Sequence, residues 1–176
     1  MAPAGGADPL AWGSTQGAAV PPCRRVAPRV VLPLPGAPGL GAAFAAALGL
    51  APGAPVAVEL HQARAPELAD VEALRAAGLE VWLSPTAGLE AEALGRLPLQ
   101  GLVLPGALVR RLGDDSGARA LAAAAAAVAT AGGWRLVADG VGAPRQRELA
   151  LALGCVEARG PLLGPAVAEG DLPASG

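Results

Sequence analysis

From Arg29 onward, short runs of Val and Leu alternate with longer stretches rich in Ala, Leu, Glu and Arg. Short continuous apolar runs suit parallel strands buried on both faces, and the stretches between them suit the connecting helices. The runs predict six strands, over Arg29–Leu34, Pro55–Leu60, Glu80–Ser84, Gly101–Leu104, Trp134–Ala138 and Cys155–Ala158. Helices are predicted over Gly39–Leu48, Pro66–Ala77, Leu89–Arg96, Ala107–Leu112, Ala118–Ala131 and Ala143–Leu153. In the second of these, Leu68, Val71, Ala73, Leu74 and Ala77 fall at helical spacing, while Glu67, Asp70, Glu72 and Arg75 supply a polar face. Gly78, the pair Gly132-Gly133 and Gly154 follow helical stretches and suit left-handed C-terminal caps. Pro66 and Pro144 stand near helix starts, where a missing N–H costs little. The pattern is that of an α/β fold, a mainly parallel sheet covered by outer helices.

Composition bounds this picture. The chain of 176 residues allows one domain and falls short of the roughly 250 residues of a complete eight-unit (βα) barrel. Apolar residues make up 53% and charged residues 16%, with a mean hydropathy of +0.45, so there is material for a buried core and no compositional case for disorder. Residues 1–28 differ: Pro9, Pro21, Pro22 and Pro28 interrupt every candidate helix in a Pro/Gly/Ala-rich leader. The division expected is therefore a leader over 1–28, a folded domain over 29–170 and a tail over 171–176.

Charge and rare residues exclude several functions. A net charge of −2 gives no basic field for nucleic acid or an anionic membrane, and Arg24, Arg25 and Arg29 are the only local exception. No Lys, Asn or Tyr occurs, and His61 is the single histidine, so mechanisms needing those residues or a His pair are excluded. Cys23 and Cys155 form no CxxC pair and read as reduced thiols of a cytoplasmic protein. The N-terminus shows no basic region followed by an apolar core, and the longest apolar stretch, Leu121–Ala131, is too short to span a bilayer.

Active sites of such folds lie at the C-terminal ends of the strands. Proline and leucine occupy most of those ends here, leaving Glu59, His61 and Asp139 as the candidates for metal or acid/base chemistry. Taken singly, Glu59 reads as a solvated or helix-capping carboxylate and His61 as a surface histidine. Cys155 reads as a buried structural thiol opening a strand. Asp114-Asp115-Ser116 reads as a loop with an N-cap, and Trp82 and Trp134 as strand residues largely buried between sheet and helices. The Ala122–Ala127 run makes a thin helix able to approach the sheet closely.

The motifs, taken in order, resemble one family. The run Leu136-Val-Ala-Asp-Gly-Val-Gly142, then Gln146 to Leu149, then Ala152-Leu-Gly-Cys155 is similar to the "VAEGVET…Q…L…LGC" tail of EAL domains, the cyclic di-GMP phosphodiesterase family. Arg159-Gly-Pro-Leu-Leu-Gly-Pro165 resembles its "QGYLFGRP". Leu97-Pro-Leu-Gln-Gly-Leu-Val-Leu-Pro105 resembles "LPVDALKID", with Leu108-Val109 and the helix of Ala118 and Leu121 following as they do there. Gly78-Leu-Glu-Val-Trp-Leu-Ser-Pro85 is similar to "GVRLALDDFG", Val56-Ala-Val-Glu-Leu60 to "LELEITE", and Val31-Leu-Pro-Leu-Pro35 to "VNLSP". Gly6-Ala-Asp-Pro-Leu10 with Trp12 resembles the "GAEALLRW" of the first EAL strand only faintly, as a remnant of it.

The resemblance implies a TIM-like (βα) barrel of the EAL type, truncated at its N-terminal side, and a place in bacterial cyclic di-GMP signalling. It also implies Mg²⁺ or Mn²⁺ held by carboxylates. Those family positions fall on Pro33 in place of Asn, Ser84 and Pro85 in place of paired Asp, Val103 in place of the catalytic Lys, and Arg159 in place of Gln. Glu59 matches a metal ligand, and Asp139 stands for a glutamate. Two-metal hydrolysis needs several carboxylates around both cations, so the expectation is a catalytically inactive domain that holds no metal and works through a protein partner or self-association. The rival readings are a receptor that binds cyclic di-GMP without hydrolysing it and a residual phosphodiesterase. Cyclic di-GMP, nucleic acid and membrane are not the expected partners.

Overall fold

A computed structural model of the chain describes residues 30–35, 39, 43–44, 56–62, 66–85 and 94–164. The leader and the tail, with the remnant read around Leu10 and Trp12, lie outside the described residues, as do most of the helices predicted over 39–48 and 89–96. The strands are β1 (Val30–Pro35), β2 (Val56–Gln62), β3 (Glu80–Pro85), β4 (Gly101–Leu104), β5 (Arg135–Ala138) and β6 (Glu157–Ala158). All pair in parallel, in the order of the chain, as one six-stranded sheet. Among the described residues β1 and β6 do not pair with each other, so the sheet is a curled half-barrel with two edges. Pro33 and Pro35 lie on an edge strand, where a missing N–H costs the ladder least.

The helices are α1 (Leu68–Ala76), α2 (Gly106–Val109), α3 (Ser116–Gly132) and α4 (Pro144–Ala152). Val71 and Leu74 of α1 are buried one turn apart, while its first residue, Leu68, is exposed. The helix predicted over Ala107–Leu112 is regular only to Val109, after which Arg111 and Leu112 donate to Leu108 and Val109 in tighter three-residue turns. Asp115 caps α3 as read from the sequence: its carboxylate accepts from the Ala118 N–H at 3.0 Å, and Arg111 pairs with it. Those two contacts, the N–H first, hold the Asp115 carboxyl below its usual range. Of the Gly132-Gly133 pair, Gly132 is still helical and Gly133 carries the left-handed conformation. Ala118, Ala122 and Ala129 of α3 are buried, the last two in the core formed with the sheet, which is the close approach that a run of alanines permits.

Alternation along the strands sends side chains to two cores. Val56, Val58 and Leu60 of β2, Val81 and Leu83 of β3, and Leu102 and Leu104 of β4 join the helices in the outer core. Ala57, Trp82, Val103 and Val137 form a second, inner core on the concave face, with Val31 packed at its margin. Trp82 is 2% exposed and its indole N–H donates to Glu80 Oε2 at 3.1 Å, so the ring is both buried and satisfied. It lies over Gly101, where an added Cβ would come within 2.9 Å of the ring. The absence of a side chain at that β4 position is what lets the indole cover the concave face.

Trp82 is buried as expected but on the concave face and not between sheet and helices, because alternation along β3 turns it away from the helices. Trp134 departs further from the expectation. It precedes β5, is only half-buried, and turns back over Gly132 at the end of α3, lining a shallow cavity of about 200 Å³ with Arg75, Leu97 and Gln100. The helix-ending bonds explain this: the Trp134 N–H donates to Ala129 O at 2.8 Å, so the residue closes α3 instead of opening the strand. Cys155 likewise closes α4, its N–H donating to Ala150 O at 3.0 Å, and β6 begins two residues later than predicted.

Two outcomes follow from these cores. Trp82→Ala removes the largest side chain of the concave face and is expected to cost about 3–5 kcal/mol, measured by denaturant unfolding; an unchanged midpoint would contradict the inner core. Burial pushes the Cys155 thiol up to about 12, so the thiolate is scarce at neutral pH. Mass spectrometry after alkylation should find Cys155 unmodified in the native protein and modified in denaturant; rapid native labelling would contradict the burial.

Candidate functional site

The alternation that makes the inner core also selects what stands at the mouth of the half-barrel. On β2 the inward series is Ala57, Glu59, His61; on β3 it continues from Trp82 to Ser84; Asp139 directly follows β5 and Arg159 directly follows β6. The register sets Glu59 beside Pro33 of β1 and Trp82 of β3, and His61 beside Ser84. Glu59 is 1% exposed, the most deeply buried charge among the described residues.

Its partner is Arg159. Nη2 of the guanidinium lies 2.8 Å from Glu59 Oε1 and 2.6 Å from Oε2, while Nε donates to Asp139 Oδ1 at 2.8 Å. One cation thus joins two carboxylates from strands that are not neighbours. Burial, the largest influence on Arg159, disfavours its charge, but the charges of Glu59 and Asp139 and the hydrogen bonds to them outweigh it, so the group is held even more firmly protonated than a free arginine. His61 Nε2 sits 3.1 Å from Glu59 Oε1 with its side chain 40% exposed, so the surface histidine read from the sequence also touches the buried glutamate.

Backbone packing aims Arg159 inward. The Val141 N–H donates to Arg159 O at 3.0 Å and the Arg159 N–H to Ala138 O at 2.9 Å, tying the residue to the loop after β5. Gly160 follows with φ +148°, and an added Cβ there would fall 2.2 Å from the Val141 nitrogen, so no other residue fits beside that loop. The loop itself is held by Gln146, whose Oε1 accepts from the Gly142 and Ala143 N–H groups at 2.8 and 3.1 Å and caps α4.

The positions singled out in the sequence are therefore brought to one mouth. Pro33 is exposed on β1, Ser84 is buried and Pro85 half-buried at the end of β3, Val103 is fully buried in the inner core, and Arg159 joins Glu59 to Asp139. Reading Glu59 as an isolated, solvated carboxylate is corrected: it is buried beside Trp82 and ion-paired with Arg159. What the sequence reading missed was Arg159 as a partner for both acids. The signal was present in the replacement of a neutral glutamine by a cation in a motif that faces the one matching glutamate.

These residues do not fit a pair of divalent cations. Proline and valine offer no side-chain donor, and among the described residues the two carboxylates brought to the mouth already serve a guanidinium. Among the described residues no group of three or more His, Cys, Asp and Glu side chains is placed to share a metal ion.

Comparison with known proteins bears on the fold and the family. In structure the chain is similar to the PaMucR phosphodiesterase in its c-di-GMP complex, with a TM-score of 0.66 and 23% identity over 81% of this chain and 63% of that one. It is similar also to the EAL domain of Mycobacterium smegmatis DcpA, with a TM-score of 0.63 and 26% identity over 77% and 67%. A third likeness is to an EAL domain protein from Listeria monocytogenes EGD-e, with a TM-score of 0.62 and 13% identity over 78% and 60%. The chain thus spans about 63% of the length of the first of these proteins. No curated protein matches it. The model of the EAL domain matches residues 41–166, well over half of the sequence. Six parallel strands curled into a half-barrel, with the motifs of the family in order along them, make this chain a member of the EAL domain family.

Proposed function

We propose that this EAL domain does not hydrolyse cyclic di-GMP and that it acts in cyclic di-GMP signalling, in the cytoplasm, by contact with another protein. The observation that supports this best is the bonding of Glu59 and Asp139 to Arg159. In-line phosphodiester hydrolysis by two metals needs several carboxylates free to hold both cations and orient a water. Here the two described carboxylates at the mouth face a fixed positive charge, and a guanidinium at 2.6–2.8 Å repels the cations that the reaction requires. Pro33, Ser84, Pro85 and Val103 supply neither the other ligands nor a lysine. Mg²⁺ and Mn²⁺ are accordingly not cofactors in this reading, and cyclic di-GMP is not its ligand.

Contact with a protein is favoured by the two sheet edges. Among the described residues β1 and β6 each pair on one side only, and an unpaired parallel edge is a template for association. No described helix is long and apolar enough to cross a membrane, and the net charge of −2 does not favour nucleic acid.

Incubation of the purified chain with cyclic di-GMP and either Mg²⁺ or Mn²⁺ should give no linear product above the blank. Metal-dependent turnover that disappears in Glu59→Gln would overturn the reading. Light scattering over a concentration series should show association, with amides of residues 30–34 or 156–158 exchanging more slowly as it proceeds. A monomer at every concentration, with both edges already protected, would mean that the barrel closes on itself, and the argument for protein contact would fail.

A further inference from the structure

Glu59 stands on β2 and Arg159 directly follows β6, with three strands between them. Neighbouring strands lie about 4.8 Å apart, so in a flat sheet β2 and β6 would be separated by about 19 Å. An arginine and a glutamate side chain together cannot cover that span, yet the two groups meet at 2.6 Å. The contact therefore exists only while the sheet is curled, and it runs across the concave side, joining strands that share no backbone bond. Asp139, after the intervening β5, receives the Nε–H at 2.8 Å and keeps the guanidinium turned inward.

A similar bridge lies at the opposite end of the strands. Arg135 of β5 places Nη1 3.3 Å from Glu80 Oε2 of β3 and 3.7 Å from Glu157 Oε1 of β6. That arginine is 44% exposed, whereas Arg159 is 22% and Glu59 1% exposed, so solvent screens the second bridge far more than the first. Between the two lies the inner core of Ala57, Trp82, Val103 and Val137. A closed barrel holds its curvature through the pairing of its first and last strands, and among the described residues that pairing is missing here.

We propose that Arg159 is the resident cation of this mouth, a chord between β6 and β2 that holds the curl of the open sheet independently of any divalent metal. The proposal rests on the reading of the mouth as a site without metal and adds to it the work that the arginine does there. Removing Arg159 leaves Glu59 as a buried, unmatched charge, removing Glu59 leaves the guanidinium with Asp139 alone, and removing both leaves only the partly exposed Asp139.

The test compares Arg159→Gln, Glu59→Gln and the double variant by thermal unfolding and by hydrogen exchange. Arg159→Gln is expected to lower the melting midpoint by about 6 °C or more, Glu59→Gln by less because Asp139 still matches the guanidinium, and the double variant by less than the sum of the two. In Arg159→Gln, exchange should quicken at β2 and β6 ahead of β3 and β4, because the outer strands of the chord are freed first. Arg159→Lys keeps the charge but offers no fork for both acids, and its midpoint should fall between wild type and Arg159→Gln. Additive losses, or exchange that rises evenly over the whole sheet, would overturn the chord. If Arg159→Gln does not fold, the double variant decides: recovered folding supports the pairing, and equal failure refutes it. The wild-type midpoint should be the same with a chelator and with excess MnCl₂; a rise with MnCl₂ would show that a metal takes the place assigned to Arg159. Metal-dependent turnover of cyclic di-GMP would overturn the functional reading and leave the coupling between Arg159 and Glu59 standing.

Discussion

A parallel sheet has two faces to keep from water, and in this protein the inner one depends on Trp82. The outer face is covered by helices that the chain supplies between strands, so its Val and Leu rows find partners by the ordinary logic of βα units. The concave face has no such layer among the described residues. It is filled from within, by an indole lying across Gly101 and by Ala57, Val103 and Val137 beside it. Everything at the mouth is stacked on that floor. With Trp82 beside it in the register, Glu59 is shut off from solvent, and a shut-off carboxylate needs a charge or donors of its own.

That need explains why the site is an ion pair and not a set of free acids. A buried ion pair is weak evidence of net stabilisation, since desolvating two charges offsets much of their attraction. Its effect is on geometry: once both charges are inside, each is costly to leave alone, so the arrangement that joins them is strongly preferred over any that parts them. In this chain the joined arrangement is also the curled one. The same side chains thus connect the chemistry of the mouth to the shape of the sheet.

Much of the fold was legible because parallel strands announce themselves as short apolar runs, and each observed strand boundary falls within two residues of its predicted place. The faces were not legible: Trp82 read as packed between sheet and helices, whereas it lies with Ala57 and Val103 on the concave side, and in strands apolar on both faces the pattern does not say which face is which. The errors lay where two elements compete for one residue. Trp134 and Cys155 read as strand by side chain, but their N–H groups complete the preceding helices. The site was legible only in part. Glu59, Asp139 and Arg159 could each be marked from their places at strand ends, but the bond between Glu59 and Arg159 crosses 100 residues and four strand intervals. No local pattern encodes how far a sheet curls, so no local pattern could show that these two would meet.

The replacements at the mouth are better understood as a set than one by one. By the family resemblance, Ser84 and Pro85 stand where paired acids would and Pro33 where an Asn would, which takes away donors for a cation, yet the sheet still turns Glu59 inward. A glutamate left there with no cation would be a buried, unbalanced charge. Arginine at 159 meets that demand: its side chain is long enough to reach β2 from the end of β6, and its Nε and Nη2 satisfy Asp139 and Glu59 together. A neutral glutamine there would leave both acids without a counter-charge, and a lysine would bring a point charge without the fork. In the proposed reading, the missing metal ligands and Arg159 are one change in physical terms: a cation drawn from solution is exchanged for one carried by the chain.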